Sequence, residues 1–261
     1  MIWCRFTVGN KVAYGIVEGD TVVEVEGSPF ETYSRTSKTH PLSSVKLQVP
    51  VIPPTIYAAG AVNYPEHVAW AAEAVGTTPK FPDRAEIGYR AANALIAHEE
   101  PIIIPRDASE EVHYEGELVA VIGKKCRRVS EDEALDYVLG YTIGNDVSER
   151  NWQRVDRGLW RAKNTDTFAP LGPWIATGLN PEDLHCKVTL SGRVVSEYDV
   201  RTAIFGVATY ISVASQYITL HPGDIFWMGT EGATHNMGDG DVVEIEISGI
   251  GVLRNPVVRE R

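Results

Sequence analysis

The chain has 261 residues, of which 44% are hydrophobic and 23% charged, so it can bury a large core and disorder is not expected. Its formal net charge is −11, and it has no lysine and arginine cluster of the kind that follows a phosphate backbone, which argues against nucleic acid as a partner. The first residues lack the apolar segment of a signal peptide, and no apolar run is long enough to cross a bilayer. We therefore expect a soluble cytoplasmic protein without a membrane partner.

The cysteine pattern excludes two further classes of protein. Cys4, Cys126 and Cys186 are odd in number and widely spaced, and none belongs to a Cys-x-x-Cys motif. This pattern argues against disulfide bonds and against a zinc site. We expect three reduced thiols.

The N-terminal part of the sequence favours short β-strands. Three runs of β type are separated by turns that contain Gly9 and Gly19, as in hairpins. The runs cover residues 4–8, 11–17 and 21–25. A polar stretch and three prolines follow, with the last of them at residue 54. The sequence predicts a small N-terminal β domain over residues 1–50 and a larger catalytic domain over residues 51–261.

A helix and an irregular segment come next. Residues 63–76 have a proline near the start, alanines through the middle and a glycine at the end, which predicts a helix. Residues 76–85 contain two prolines and no strong periodicity, which favours a mobile flap. We expect the helix and the flap to form a lid over the acidic residues that follow.

Acidic residues alternate at the start of an apolar β-run over residues 113–123. Side chains of a strand alternate between its faces, so Glu115 and Glu117 project from one face and can converge on one point. Two parallel carboxylates repel each other unless a cation lies between them, and a hard divalent ion such as Mg²⁺ or Mn²⁺ takes oxygen ligands. The alternative is solvated charge at a strand edge, because an isolated Glu-x-Glu is weak evidence.

A third carboxylate lies further along the chain. Residues 130–140 begin with Ser130 and Glu133 in a capping box and end on a glycine, which predicts a helix. Residues 141–150 favour a strand that runs into a turn, and Asp146 lies at that transition. Asp146 is therefore the predicted third ligand.

Several short motifs recur between about residue 56 and the end of the chain. They are Asn63-Tyr64 with His67, Tyr114-Glu115-Gly116-Glu117-Leu118, Gly140-Tyr141-Thr142 with Asn145-Asp146, Trp160 with Lys163 and Asp166-Thr167-Phe168, Pro170-Leu171-Gly172-Pro173, Pro222-Gly223-Asp224, and Gly229-Thr230. In their order and number these motifs resemble the fumarylacetoacetate hydrolase superfamily. The resemblance implies a mostly β fold with α structure (α+β), in which a mixed β-sandwich roll follows the small N-terminal β domain that some members carry. It also implies a homodimer and a Mg²⁺ or Mn²⁺ cofactor held by Glu115, Glu117 and Asp146.

The resemblance implies roles for further residues. His67 is expected to be catalytic, whereas without the family pattern it reads as a surface histidine on a helix. Lys163 is also expected to be catalytic and to reach a substrate carboxylate or carbonyl, with an exposed lysine as the alternative. The residues expected to bind substrate are Arg90, Arg150, Gln153 and Thr230. For Thr230, the alternative is a turn cap.

The chain departs from the family pattern at several positions. Many small members have a glutamate three residues after the lid histidine, and here that residue is Trp70. Arg90 stands where a lysine is usual, and His113 stands where an acidic residue is common. Residues 191–196 read Ser-Gly-Arg-Val-Val-Ser, where the family commonly has Asn-Gly-Glu. These differences indicate that the far end of the substrate differs, and they leave the acidic partner of His67 unassigned.

The acidic triad and the resemblance together predict metal-assisted chemistry on a small-molecule 2-oxo acid. Negative charge would build up on the keto oxygen, where a cation stabilises it. We expect hydrolysis of a C–C bond in an acylpyruvate or a similar 1,3-dicarbonyl acid, of the kind met in aromatic catabolism. The near alternatives are decarboxylation and keto–enol tautomerisation or isomerisation on the same scaffold. The alternative from another class is a catalytically weak metal-binding scaffold protein.

Overall fold

The structure is a computed structural model in which residues 1–60, 62–74 and 76–261 are described. Its N-terminal strands are β1 (Ile2–Val8), β2 (Lys11–Glu18), β3 (Thr21–Glu26), β4 (Ser34–Pro41) and β5 (Lys46–Leu47). The turns after β1 and β2 contain Gly9 at φ +58° and Gly19 at φ +57°, a conformation that glycine adopts without steric cost. The three predicted strands are confirmed. The sequence missed β4 because its mostly exposed, polar residues show no hydrophobic alternation.

The rest of the chain alternates strands with short helices. The strands are β6 (Ile56–Ala59), β7 (Ile87–Tyr89), β8 (Leu95–Ile96), β9 (Ile102–Ile104), β10 (Val112–His113), β11 (Gly116–Ile122), β12 (Val138–Asn145), β13 (Ser148–Glu149), β14 (Ala169–Ala176), β15 (His185–Leu190), β16 (Arg193–Asp199), β17 (Ile225–Trp227), β18 (Val242–Ile247) and β19 (Gly251–Arg259). The α-helices are α1 (Pro65–Ala74), α2 (Glu131–Ala134), α3 (Arg150–Gln153), α4 (Trp160–Asn164) and α5 (Val207–Tyr217). Single 3₁₀ turns cover Leu42–Ser44, Ala92–Ala94, Leu135–Tyr137, Pro181–Asp183 and Val200–Thr202.

In the described part of the chain, two mixed sheets make up most of the fold. The larger has twelve strands in the order β4-β3-β2-β1-β14-β12-β11-β17-β6-β7, with β5 on β1 and β8 on β14. The smaller has the order β16-β15-β18-β19-β9. A Cβ on Gly116 of β11 would lie 2.8 Å from Val188 and 3.0 Å from Ile245 of the other sheet, so the two sheets pack closely face to face. This arrangement confirms the predicted mostly β, α+β class.

The larger sheet continues across the N-terminal part of the chain. Strand β1 pairs antiparallel with β14, with Ile2 opposite Ala176 and Trp3 opposite Ile175. The N-terminal strands therefore extend the same sheet that carries the C-terminal motifs. The division of the chain into domains at residue 50 stays a prediction.

One of the two helix predictions is confirmed, and the other is largely wrong. The predicted helix over residues 63–76 is present as α1, and Val75 lies outside the described residues. The predicted helix over residues 130–140 is wrong beyond its first turn. The capping box forms, but α2 ends at Ala134 and Gly140 lies inside β12. A Cβ on Gly140 would lie 2.3 Å from the carbonyl oxygen of Ala176, so this glycine permits close strand packing rather than ending a helix.

Two sequence expectations concern single features. Cys4, Cys126 and Cys186 are all buried and form no disulfide. Among the helices of the described residues, none combines the length and the apolar character that a bilayer crossing requires.

Candidate metal centre and active-site pocket

Two paired strands bring the three predicted carboxylates together. Glu117 lies in β11 and pairs with Gly144 of β12, while Glu115 precedes β11. Asp146 follows β12, and its backbone N–H donates to the carbonyl of Glu115 over 2.9 Å. Ligand oxygens of Glu115, Glu117 and Asp146 all lie within 4.8 Å of one another, and each residue is at most 3% exposed. Such burial excludes the alternative of solvated charge at a strand edge.

Three cationic side chains neutralise part of this acidic cluster. Arg90 binds both oxygens of Asp146, over 2.9 Å and 2.7 Å. Lys163 Nζ bridges the cluster, since it lies 2.5 Å from Glu115 and 2.7 Å from Asp146. Arg150 Nη2 donates to the other oxygen of Glu115 over 2.6 Å. Each buried cation thus has a buried anionic partner, as the cost of desolvation requires.

Glu117 differs from the other two carboxylates. It accepts the backbone N–H of Gly229 over 2.7 Å, and among the described residues no cationic side chain forms a salt bridge with it. Burial raises the pKa of Glu117 well above its usual range, and the negative charges of Asp146 and Glu115 add to the effect. A divalent cation bound here would offset both the desolvation of this carboxylate and its repulsion by the other two.

Neighbouring cations lower the pKa values of the other two carboxylates. Burial alone would raise the pKa of Glu115, but Lys163 and Arg150 outweigh it and hold that pKa well below the usual value. For Asp146, Arg90 and Lys163 likewise outweigh burial and lower the pKa. Both groups therefore stay ionised. Three buried carboxylates with converging oxygens are the donor set that hard ions such as Mg²⁺ and Mn²⁺ prefer, so the residues present fit such an ion.

His67 projects from α1 into the same pocket. Its Nδ1 lies 3.1 Å from the carbonyl oxygen of Thr230, and a carbonyl can only accept, so Nδ1 carries the proton and Nε2 is the basic nitrogen. Burial lowers the pKa of His67, and Arg150 and Lys163 lower it further, against the opposing charge of Glu115. No carboxylate among the described residues hydrogen-bonds to the ring. The neutral imidazole is thus the resting form near neutral pH.

Trp70 lies beside His67, at the position where the family pattern has a glutamate. Its ring centroid lies 5.5 Å from that of His67 and 6.3 Å from that of His113. The guanidinium carbon of Arg150 lies over the same ring, 5.5 Å from its centroid. Glu73, an acidic residue near the end of α1, is exposed and does not line the pocket. Trp70 therefore replaces a carboxylate with an aromatic surface.

His113 helps to orient Arg150. Its Nδ1 accepts from Arg150 Nε over 3.0 Å, and its Nε2 lies 2.8 Å from Asn236 Oδ1. Burial lowers the pKa of His113, and the charge of Arg150 lowers it further, so the ring is a neutral acceptor. The histidine that stands at a commonly acidic position accepts a hydrogen bond from an arginine, as a carboxylate would.

The pocket formed by these elements has a volume of about 330 Å³, at the lower end of the range for small-molecule sites. Eight of the nine predicted site residues line it, namely His67, Arg90, Glu115, Glu117, Asp146, Gln153, Lys163 and Thr230. The ninth, Arg150, reaches it through Glu115 and donates to Gln153 Oε1 over 2.7 Å. The structure thus brings the predicted residues together, and their individual roles stay predictions.

Sequence reasoning missed some of the pocket wall. Tyr89 and Arg157 also line the pocket, and neither belongs to a motif that marks it in the sequence. The expected lid is present only in part. The helix α1 borders the pocket, but residues 77, 78 and 80–84 of the expected flap line a separate neighbouring cavity.

Comparison with known proteins shows which family the chain resembles over most of its length. The family described as fumarylacetoacetate (FAA) hydrolase C-terminal matches residues 55–258, and the one described as Rv2993c-like, N-terminal matches residues 1–50. The chain belongs to the fumarylacetoacetate hydrolase family. The resemblance seen in the sequence motifs is confirmed.

Two relatives of this family show the range of similarity. Protein Rv2993c of Mycobacterium tuberculosis is 38% identical over 266 residues, which cover 98% of this chain and 97% of that protein. The mitochondrial oxaloacetate tautomerase fahd2 of Xenopus laevis is 35% identical over 228 residues, covering 83% of this chain and 69% of that protein.

Solved structures of the family cover the whole chain. The 5-carboxymethyl-2-hydroxymuconate delta-isomerase from Mycobacterium smegmatis is 37% identical, with a TM-score of 0.89 and full coverage of both chains. Maleylpyruvate hydrolase from Sphingobium sp. SYK-6, solved in complex with manganese(II) and pyruvate, is 26% identical, with a TM-score of 0.79 and full coverage of both chains. Family members therefore include an isomerase, a tautomerase and a hydrolase, and the hydrolase was solved with a divalent metal.

Proposed function

We propose that the protein is a divalent-metal-dependent enzyme that moves a proton on a 2-oxo acid and so interconverts its keto and enol forms. The observation that carries this proposal is the state of His67. Its basic Nε2 belongs to a pocket shared with the acidic triad, and no carboxylate partner hydrogen-bonds to it among the described residues. A neutral imidazole of this kind suits the transfer of a single proton.

We propose that Glu115, Glu117 and Asp146 hold the ion, and that it is Mg²⁺ or Mn²⁺. Converging oxygen donors support this assignment, as does the absence of a salt bridge to Glu117 among the described residues. When bound, such an ion would polarise the keto oxygen of the substrate as a Lewis acid.

The protein's own residues supply the rest of the chemistry. His67 Nε2 takes a proton from the carbon next to the keto group and returns it to the oxygen or to a carbon further along a conjugated chain, so no proton is gained or lost overall. Lys163 and Arg90 keep positive charge near the oxygen on which negative charge develops. Thr230 fixes the tautomer of His67 through its backbone carbonyl.

Hydrolysis of a C–C bond, as expected from the sequence, is the second candidate. It is supported by the similarity to maleylpyruvate hydrolase. Hydrolysis additionally requires the activation of a water molecule, a step that a histidine paired with a carboxylate performs best. With Trp70 at the position of that carboxylate, proton transfer is favoured over hydrolysis, and decarboxylation stays a third possibility on the same scaffold.

A single set of assays separates these candidates. The exchange of C3 hydrogens of oxaloacetate and 2-oxobutanoate for deuterium is followed by NMR with Mg²⁺ or Mn²⁺, and acylpyruvate cleavage and CO₂ release are measured in parallel. We expect catalysed exchange, loss of it in His67→Gln, and wild-type rates in the matched control Glu66→Gln, whose exposed side chain does not line the pocket. Acylpyruvate cleavage without faster exchange would contradict the proposal in favour of hydrolysis, and CO₂ release without faster exchange would contradict it in favour of decarboxylation. Metal binding without any turnover would favour the scaffold alternative.

We also propose that the enzyme is a cytoplasmic homodimer. Val155 and Trp160 are 70% and 68% exposed, and large apolar side chains at the surface are typical of interfaces. Light scattering at micromolar concentration should give twice the mass of the chain, and a monomer there would contradict the proposal.

A further inference from the structure

Four arginines lie on the segment that runs from α3 to α4, and three of them have carboxylate partners. Arg150 pairs with Glu115, Arg154 Nη2 lies 2.6 Å from Glu111, and Arg161 Nη2 lies 2.9 Å from Asp156. The fourth is Arg157, for which the described residues offer no salt bridge and no side-chain hydrogen bond. Its exposed side chain lines the pocket, whereas those of Arg154 and Arg161 do not.

The loop that carries Arg157 is tied to the site. Leu159, two residues further on, has a left-handed backbone at φ +51°, and its carbonyl accepts the N–H of Lys163 over 3.1 Å. The Leu159 N–H in turn donates to the carbonyl of Asp156 over 3.3 Å. The backbone on either side of Arg157 is thus fixed to the short helix that carries Lys163. Asp156 is adjacent in sequence, but its oxygens bind Arg161.

Arg157 differs from the other cations of the pocket in that no carboxylate of the described residues offsets its charge. Arg90 and Lys163 are each bound to the buried triad, so their charge already offsets that of the protein's own carboxylates. Arg157 has no such partner, and its guanidinium can take a carboxylate of a ligand in a bidentate pair. The pocket therefore combines a buried site for a 2-oxo acid group with a separate exposed cation.

We propose that Arg157 is a specificity-determining residue that binds a second carboxylate, remote from the keto group, of a dicarboxylic 2-oxo acid. The inference rests on the proposed function for the 2-oxo acid group alone. Monocarboxylic 2-oxo acids would bind at the triad but leave the guanidinium without a partner. A charge-assisted hydrogen bond of this type corresponds to about a tenfold change in affinity.

Titration calorimetry in the presence of Mg²⁺ tests this residue directly. The affinities of 2-oxoglutarate and 2-oxobutanoate are compared in the wild type, in Arg157→Gln and in the matched control Arg154→Gln. We expect the wild type and the control to bind the dicarboxylate about ten times more tightly than the monocarboxylate. In Arg157→Gln the two ligands should bind within about twofold of each other, with the affinity for 2-oxobutanoate unchanged.

The outcomes separate this inference from the proposed function. Three results would overturn the role of Arg157. The preference for the dicarboxylate could persist in Arg157→Gln, it could be lost in Arg154→Gln as well, or it could be absent from the wild type. The kinetics of C3 exchange are measured in parallel with oxaloacetate as the substrate. In Arg157→Gln, KM should be higher than in the wild type and kcat nearly unchanged. If the binding preference depends on Arg157 but no exchange occurs in any variant, the proposed function fails and the role of Arg157 stands.

Discussion

Arg90 binds Asp146 through two parallel hydrogen bonds, with Nε 2.9 Å from Oδ1 and Nη2 2.7 Å from Oδ2. Both side chains are buried, so the pair is a stabilising contact only while both partners are present. It also fixes the orientation of one predicted metal ligand. The arginine at a position usually held by lysine therefore provides a planar, two-point contact that lysine cannot make.

Removing Arg90 should expose the repulsion within the acidic cluster. In Arg90→Gln, with EDTA present, we expect the free energy of unfolding to fall by about 3 kcal/mol, because a buried carboxylate loses its main partner. Mg²⁺ should then raise the melting temperature more in this variant than in the wild type, since the ion replaces a missing cation. Denaturant and thermal unfolding measure both effects. Arg84→Gln, which removes an exposed pair with Glu86, is the control and should change little.

The pH dependence of proton transfer should reflect His67. Burial, with help from Arg150 and Lys163, lowers the pKa of this imidazole, so the basic form is already present at neutral pH. We expect kcat/KM to be flat around pH 7 and to fall only at a pH below the ordinary imidazole pKa of about 6.5, because the lowered pKa delays protonation of the ring. An activity that rises towards acidic pH would contradict the assignment of His67 as the base.

Trp70 offers a way to alter that profile. In Trp70→Glu a carboxylate would stand beside His67 and stabilise its protonated form, so we expect its pKa to rise and the acidic limb of the rate profile to move to higher pH. Trp70→Phe keeps an aromatic ring and should leave the limb in place. If both variants give the wild-type profile, residue 70 has no electrostatic influence on His67.

An added side chain at Gly144, in the strand that leads to Asp146, should destabilise the protein. A Cβ there would lie 2.4 Å from the buried ring of Trp227. We expect Gly144→Ala to lower the free energy of unfolding by about 1–3 kcal/mol, the usual cost of overpacking a core. In the control Gly238→Ala, the nearest atom to a Cβ is 3.9 Å away, and stability should be close to that of the wild type. Equal stabilities of the two variants in urea would show that the ring moves aside without cost.

Much of the site could be predicted because local pattern and chemistry agree there. Glu115 and Glu117 alternate on a strand, and a strand can be recognised from its apolar run. The position of Asp146 opposite Glu115 depends on the pairing of β11 with β12, which the motifs implied but periodicity did not. A glycine after a capped segment is a common signal for the end of a helix, which is why the sequence predicts a helix ending at Gly140. Tertiary packing overrides this signal, because the backbone of a neighbouring strand occupies the space that a side chain at residue 140 would need.

Other features lie beyond what a single sequence can give. Strand β4 is polar and mostly exposed, so nothing in its pattern distinguishes it from a loop. Arg157 carries the same charge as Arg154, three residues earlier, and only the path of the loop decides which of them lines the pocket. The aromatic and cationic surroundings of Trp70 likewise depend on contacts between segments distant in sequence.

Binding of Mn²⁺, followed by electron paramagnetic resonance of the free ion, tests the central claim most directly. The wild type, Glu117→Gln and the control Glu111→Gln, whose partly exposed side chain does not line the pocket, are titrated after treatment with EDTA. Loss of one anionic ligand from three should weaken a hard-ion site strongly, so we expect one ion per chain in the wild type and control, and at least about a tenfold lower affinity in Glu117→Gln. Equal affinity in all three proteins, or no binding by the wild type, would contradict the assignment of the triad as the metal centre.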